Sequence, residues 1–333
     1  LTGVNRAFVR QGLKVMARRA RPGLAALSDV ARMDTAPTAY HLGFLLGPRI
    51  NAGGRIGQAD LGARLLATAD PHEAAALAER LDQLNTDRRE VEAAVRASAM
   101  AQAEDRGFDG PLAWAAGPGW HPGVVGIVAS RLKEASNRPS IVIGVEDGIG
   151  KGSGRSISGI DLGAPIQRLA AEGLLIKGGG HKMAAGLTVA EDKIDAAMER
   201  LGELLTKQGA HLAGPADLNL CGMMMPGAAT VELAEMVDQA GPFGAGAPAP
   251  RYAFADMQIR FAKRVGENHL KVSFGDGLGA NLEAISFGAY DGPLGPALEN
   301  HGGARFHLAG RLDINNFRGR RSVQLRLEDA ARA

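Results

Sequence analysis

The chain has 333 residues, 45% of them hydrophobic, enough to bury a sizeable core and to build two or three domains. Its formal net charge is only +2, from 38 basic and 36 acidic residues, so bulk charge singles out no partner. One cysteine, Cys221, excludes an internal disulfide and a multi-cysteine zinc site and suits a reducing cytoplasm, and no apolar run approaches the ~20 residues that span a bilayer.

Local charge is more informative. Residues 1–25 carry Arg6, Arg10, Lys14, Arg18, Arg19 and Arg21 and no carboxylate, and from Arg251 to Arg326 there are 11 Lys/Arg against 7 Asp/Glu. Such ends suit a polyanion, and equally a solvated basic face. No signal peptide opens the chain. Leu1 stands where a natural start would place Met, within what reads as helix, so an upstream segment is expected.

Residues 1–60 read as short helical pieces broken by glycine, ending in a loop from Gly47 to Arg55. A long helix follows. Asp70 is its expected N-cap, Pro71 suits the first position and Glu73 completes a capping box. Leu77, Leu81, Leu84, Val91 and Val95 recur at helical spacing, and no Gly or Pro intervenes before Gly107. This predicts about 35 residues of helix, about 50 Å long. Arg80, Arg88, Arg89 and Arg96 are placed on its exposed faces. Its single apolar stripe fits an inter-domain strut better than a coiled coil, which needs more sustained heptads.

Residues 107–208 alternate strand and helix. Strands are expected at 111–116, 140–145 and 186–189, and helices at 124–134, 161–172 and 191–206, giving an α/β domain. After Gly209 the sequence turns to Gly- and Pro-rich loops. Five short strands follow, at 257–265, 269–274, 282–287, 306–314 and 323–327. Five strands in about 75 residues predict a small barrel of the oligonucleotide-binding (OB) type.

Four segments carry candidate chemistry. Gly178-Gly179-Gly180-His181-Lys182 reads either as a nest of backbone amides for an anion or as a glycine hinge with an exposed histidine. Lys151-Gly152-Ser153-Gly154-Arg155-Ser156 reads either as a phosphate clamp or as an ordinary turn; its order is not that of a Walker loop. In Gly119-Trp120-His121-Pro122-Gly123, a helix start offers amides and His121 a donor, while Trp120 either stacks on a base or fills core. The fourth is the Arg49, Asn51, Arg55 stretch. Asp-x-Asp and Asp-His-His patterns are absent, so no two-metal site and no catalytic residue is expected in this chain.

Together these segments resemble one family. Gly119–Leu132 (GWHPGVVGIVASRL), Lys151–Ile157 (KGSGRSI) and Gly178–Gly186 (GGGHKMAAG) resemble, in order, the DHH-associated domain of RecJ exonucleases. Leu46–Arg55 (LGPRINAGGR) is similar to the family's segment before its connecting helix, Gly241–Pro250 (GPFGAGAPAP) to its entry into the barrel, and Leu1–Leu13 to the end of its catalytic DHH domain. Two departures stand out: Gly53 where many members have alanine, and Ala247 where asparagine is common.

The resemblance implies an α/β fold in four parts. These are a C-terminal remnant of the DHH domain (1–60), a long connecting helix (61–106), an α/β DHH-associated domain (107–208) and an all-β OB-like barrel (215–331). It implies the C-terminal part of a 5′→3′ exonuclease acting on single-stranded DNA in repair and recombination, with Mn²⁺ or Mg²⁺ bound upstream of Leu1 and none by this chain. The implied phosphate-binding residues are Arg49, Asn51, Arg55, His121, Ser153, Arg155, Ser156, Gly179, Gly180 and His181. Arg260, Lys263, Arg264, Lys271, Phe317, Arg318 and Arg320 would meet DNA on the barrel. Expected partners are single-stranded DNA, a single-strand-binding protein and a helicase, in the cytoplasm and away from membrane. Two other readings stay open: a non-catalytic single-strand-binding relative, and a smaller DHH-type oligoribonuclease or phosphatase.

Overall fold

The computed structural model describes residues 1–212, 217–244, 246–317 and 319–333, the side chain of Phe317 excepted. The chain divides into two compact units, Val15–Ala216 and a second made of Leu1–Lys14 with Asp217–Ala333. Helix α1 (Val4–Ala17) sends Arg6 to the carbonyl of Ala240 and Arg10 to that of Gln239 (3.2 Å). Carbonyls at a helix C-terminus lack intrahelical partners and attract cations. Residues 1–14 therefore group with the C-terminal unit rather than with the rest of 1–60.

In the first unit, α2 (Pro22–Val30), α3 (Gly47–Ile56) and α4 (Leu61–Ala67) pack on α5 (Pro71–Arg106), and a π-helical turn (His41–Leu46) leads into α3. The stretch expected as a glycine loop is thus helix α3. Its glycine serves close packing: a Cβ at Gly53 would lie 2.9 Å from the Gln58 carbonyl and 3.2 Å from Leu81 Cδ2. That contact offsets the roughly 1 kcal/mol by which glycine disfavours a helix.

Helix α5 runs 36 residues, capped by Asp70, whose carboxylate accepts from the His72 amide at 2.8 Å. The expected capping box does not close. The Asp70 amide donates to Thr68 Oγ1, and Glu73 instead accepts from the Thr68 hydroxyl (2.6 Å) and Arg64 (3.2 Å), which hold its carboxyl below the usual range. Leu77, Leu81 and Leu84 join Leu27, Leu46 and Leu65 in one core; Val95, Ala99 and Ala103 join Val124, Val128 and Leu132 in another. Between the two cores Arg88 is buried, not exposed as expected, and is held by Glu92 and Asn85.

The α/β part contains β1 (Ala113–Pro118), α6 (Pro122–Ser136), β2 (Ser140–Glu146), β3 (Ile149–Arg155), α7 (Gly163–Ala171), β4 (Lys177–His181), β5 (Ala184–Ala190) and α8 (Ile194–Thr206). The sheet order is β1-β2-β3-β5-β4, with β1 parallel to β2 and the other pairs antiparallel. Strands β3 and β4 hold the segments read, respectively, as a phosphate clamp or turn and as an amide nest or glycine hinge. In β3 the glycines alternate, and a Cβ at Gly150, Gly152 or Gly154 would come within 3 Å of Ile143, Leu187, Ile141 or Leu162. Neighbouring strands and Leu162, just before α7, supply the apolar bulk that β3 itself lacks.

The second unit holds β6 (Gly222–Met223), α9 (Val231–Gln239), β7 (Tyr252–Val265), β8 (His269–Gly275), β9 (Asn281–Ser286), α10 (Leu294–Glu299), β10 (Arg305–Phe317) and β11 (Arg320–Arg332). The sheet order β10-β11-β9-β8-β7-β6 closes through β10–β7 pairing, giving a five-stranded barrel as expected. Phe254, Phe274, Leu308 and Leu325 fill it. Helices α9 and α10 interrupt what read as loop; Thr230 caps α9 by accepting from the Leu233 amide.

Candidate nucleic-acid interface

Alternation along β3 sends Gly150, Gly152 and Gly154 to the core and Lys151, Ser153 and Arg155 to the opposite face. Cross-strand partners share a face. Arg155 pairs with Ala184 and Ala184 with His181; Ser153 pairs with Gly186 and Gly186 with Gly179. Two rows therefore run side by side from β3 across β5 to β4, one ending in His181 and the other floored by glycine.

These floor glycines differ from the core-facing ones. A Cβ on Gly179 would meet nothing within 4 Å, and one on Gly186 only the Gly152 carbonyl at 4.0 Å. Internal packing does not explain their lack of a side chain, whereas a ligand backbone lying on the sheet does. Gly180 is different: a Cβ there would lie 2.3 Å from the Ala184 carbonyl. The triple glycine forms an edge strand rather than a concave nest, and an edge leaves alternate N–H groups without a strand partner.

Arg155 is half-buried beneath α6, where a Cβ at Gly126 would come 3.0 Å from its guanidinium and from Ser153 Oγ. Its Nη1 donates to Ser153 Oγ (3.0 Å) and to the Gly154 carbonyl (2.8 Å). Arg55, at the end of α3, donates to the Gly123 carbonyl at 2.9 Å. Neither arginine has an ion-pair partner among the described residues. Burial, and then the like charge of Arg55, hold Arg155 below the ordinary arginine range. Two neighbouring guanidiniums without a carboxylate favour an anion between them. His181 accepts the Met183 amide at Nδ1 (3.3 Å), which leaves Nε2–H free to donate.

Other expected site residues lie elsewhere. Arg49 is buried, donating to Asp82 (2.7 Å) and the Leu45 carbonyl (2.7 Å), so it fastens α3 to α5 and does not line a cleft. Ser156 is also buried, its hydroxyl given to the Ile160 carbonyl. Burial is what the motif could not reveal in either case. His121 caps α6 by accepting the Gly123 amide, and lines a hollow with Trp120, Glu146, Asp147 and Lys151. Trp120 lies over Gly117, where a Cβ would fall 2.3 Å from the indole, so one side of it packs against the core while it stays partly exposed in that hollow. Asn51 is exposed in a cleft with Arg55, Arg131 and Arg89, the last of which lies in none of the motifs.

On the barrel, Arg260, Lys263 and Arg320 are exposed. Lys263 faces Lys271 across β7 and β8, and Lys271 is paired with Glu283 at 2.9 Å. Arg264 is engaged, donating to the Glu267 carbonyl and covering Tyr290 at 4.3 Å. Arg318 and the side chain of Phe317 lie outside the described residues. Phe261, 47% exposed and two residues from Lys263, is an aromatic that the charge count passed over.

Residues 109–207 match the DHHA1 domain family, and residues 222–329 match the RecJ OB domain family. The single-stranded-DNA-specific exonuclease RecJ of Dickeya dadantii is 41% identical over 338 residues, covering 97% of this chain and 57% of that protein. The chain carries a DHHA1 domain followed by a RecJ OB domain. A crystal structure of RecJ from Thermus thermophilus with Mn²⁺ superposes with a TM-score of 0.79 at 29% identity, covering 99% of this chain and 47% of that one. Its counterpart with Mg²⁺ gives 0.78 at 29% identity, covering 98% of this chain and 49% of that one. The chain thus spans about half the length of the RecJ proteins it matches. Those RecJ structures contain divalent metal; among the described residues here, no three His, Cys, Asp or Glu side chains converge on a metal site. No described helix is long and apolar enough to cross a membrane.

Proposed function

We propose that this chain is the substrate-gripping part of a RecJ-type 5′→3′ exonuclease and holds single-stranded DNA near its 5′ end. The observation that carries the reading is the common sheet face of Ser153, Arg155 and His181, beside Arg55 and floored by Gly179 and Gly186. Arg155 and Arg55 would take phosphate oxygens, His181 Nε2–H would add a donor, and the glycines would let the strand lie close. Exposed Arg260, Lys263 and Arg320, with Phe261, would guide the strand over the barrel. Divalent metal would sit outside this chain, in a DHH domain whose end lies within residues 1–60. A single-strand-binding protein and a helicase, which protect and supply single strands, are the partner classes this reading calls for.

Binding of a 5′-phosphorylated oligothymidylate, followed by fluorescence anisotropy against salt, tests it. The purified chain should bind with a steep salt dependence, and Arg155→Gln should weaken binding about tenfold and lower the salt slope by about one. Equal affinity of the variant, at an unchanged melting temperature, would remove Arg155 from the site. With Mn²⁺ added the chain alone should leave the strand intact; digestion would overturn the placement of the metal outside it.

A further inference from the structure

Arg55 faces a second group of residues. With Asn51, Arg89, Arg131, Gly43 and Pro48 it lines a cleft of about 380 Å³ between α3, α5 and α6. Arg88 is neutralised by Glu92, and Arg131 is paired with Glu134 at 3.0 Å. Arg55 and Arg89 have no ion-pair partner among the described residues, which leaves the cleft an excess of two positive charges.

At its edge stands the π-helical turn His41–Leu46. Leu42, Leu45 and Leu46 of this turn belong to the core, but Tyr40 and Phe44 do not. Tyr40 is 54% exposed and Phe44 68%, and their rings stack at 5.1 Å with 22° between planes. Gly43, next to Phe44, lines the cleft itself. Two large parallel rings kept in water, one of them on the residue after Gly43 of the cleft wall, are unfavourable for the chain alone. They match a flexible polyanion that carries flat apolar rings, since bases stack on aromatics while arginines follow the backbone. Single π-helical turns are themselves frequent at functional sites.

We propose that this cleft is a second nucleotide subsite, in which Arg89 with Arg55 holds a phosphodiester and the Tyr40–Phe44 pair stacks a base. Arg55 is common to this subsite and the sheet face, so one single strand engages both. The inference rests on the single-strand reading given above.

The test uses the full chain, a 5′-phosphorylated oligothymidylate, the same oligonucleotide with abasic positions, and thymidine 5′-monophosphate. Phe44→Ala and Arg89→Gln should each weaken the oligothymidylate about tenfold and leave the mononucleotide unchanged. Phe44→Ala should have no effect on the abasic strand, and Arg89→Gln should still weaken it. Arg155→Gln should weaken every probe. If Arg155→Gln weakens the oligothymidylate but Phe44→Ala and Arg89→Gln do not, the subsite is wrong and the sheet-face reading stands. If the wild-type chain binds no single strand at low salt, both fall. Phe44 and Arg89 are exposed, so melting temperatures should stay at the wild-type value and losses of affinity report contacts.

Discussion

Arg155 and His181 stand on one face of the same sheet, both opposite Ala184, one from β3 and the other from β4. With strands about 4.8 Å apart, their Cα atoms are roughly 10 Å from each other. In the reading proposed above, both side chains would reach a phosphate lying on this face. No carboxylate pairs with Arg155 among the described residues, and the strand between the two begins with the small residues Ala184, Ala185 and Gly186.

Glycines on opposite faces of this sheet should respond oppositely. In Gly152→Ala the new methyl would lie 2.9 Å from Ile143 Cγ1 and 3.0 Å from Leu187, and should cost about 1–3 kcal/mol in urea denaturation. Gly186→Ala has free space, and should keep or slightly raise stability because glycine disfavours a strand interior. It should nevertheless weaken oligothymidylate binding. Intact affinity in Gly186→Ala would remove the ligand as the reason for that glycine.

Strand β1 is an edge of the sheet, and α5 covers it with side chains. Gln102 donates to the Ala116 carbonyl (2.9 Å) and accepts its amide (3.2 Å), and Arg106 donates to the Trp114 carbonyl (2.9 Å). Gln102 thereby imitates a neighbouring strand. Gln102→Ala should cost about 1 kcal/mol, seen in thermal melts. It should also promote self-association through the uncovered edge, seen by size-exclusion chromatography.

Glu172 joins α7 to α8 by accepting from Arg168 (2.8 Å) and Arg200 (2.9 Å). Hydrogen bonds from Arg200, then Arg168, lower its pKa from 4.5 to about 2. A carboxyl depressed in the folded state stabilises fully above its unfolded pKa and loses that contribution as pH falls through the folded one. Wild-type protein should therefore melt above Glu172→Gln at neutral pH. The difference should shrink between about pH 4.5 and 2. A gap independent of pH would show that the ion pairs contribute nothing.

The long helix was legible because its start and its freedom from glycine are written in adjacent residues, and the barrel because five alternating runs are separated by turns. Strands β3 and β4 were not. Their inward positions are glycine, so the apolar alternation that marks a strand is supplied from outside, by Ile141, Ile143 and Leu187 for β3 and by Ile166 and Leu175 for β4. Helix α3 was hidden for the same reason, since its glycine answers to Leu81 on α5. At the site, Arg155 and His181 were marked by the motifs that hold them. Arg49 and Ser156 were marked equally, yet burial turns both to structural use. Arg89 and the Tyr40–Phe44 pair had no motif, because only the packing of α3, α5 and α6 brings the cleft together.

Helix α5 acts as a ruler for its unit. Asp82, which fastens Arg49, Arg89, which lines the cleft, and Gln102, which closes the sheet edge, all project from this one rod. At 1.5 Å per residue they are separated along the axis by about 10 Å and then about 20 Å, intervals that cannot stretch without breaking helical hydrogen bonds. Whatever occupies the cleft must fit a spacing laid down before it arrives.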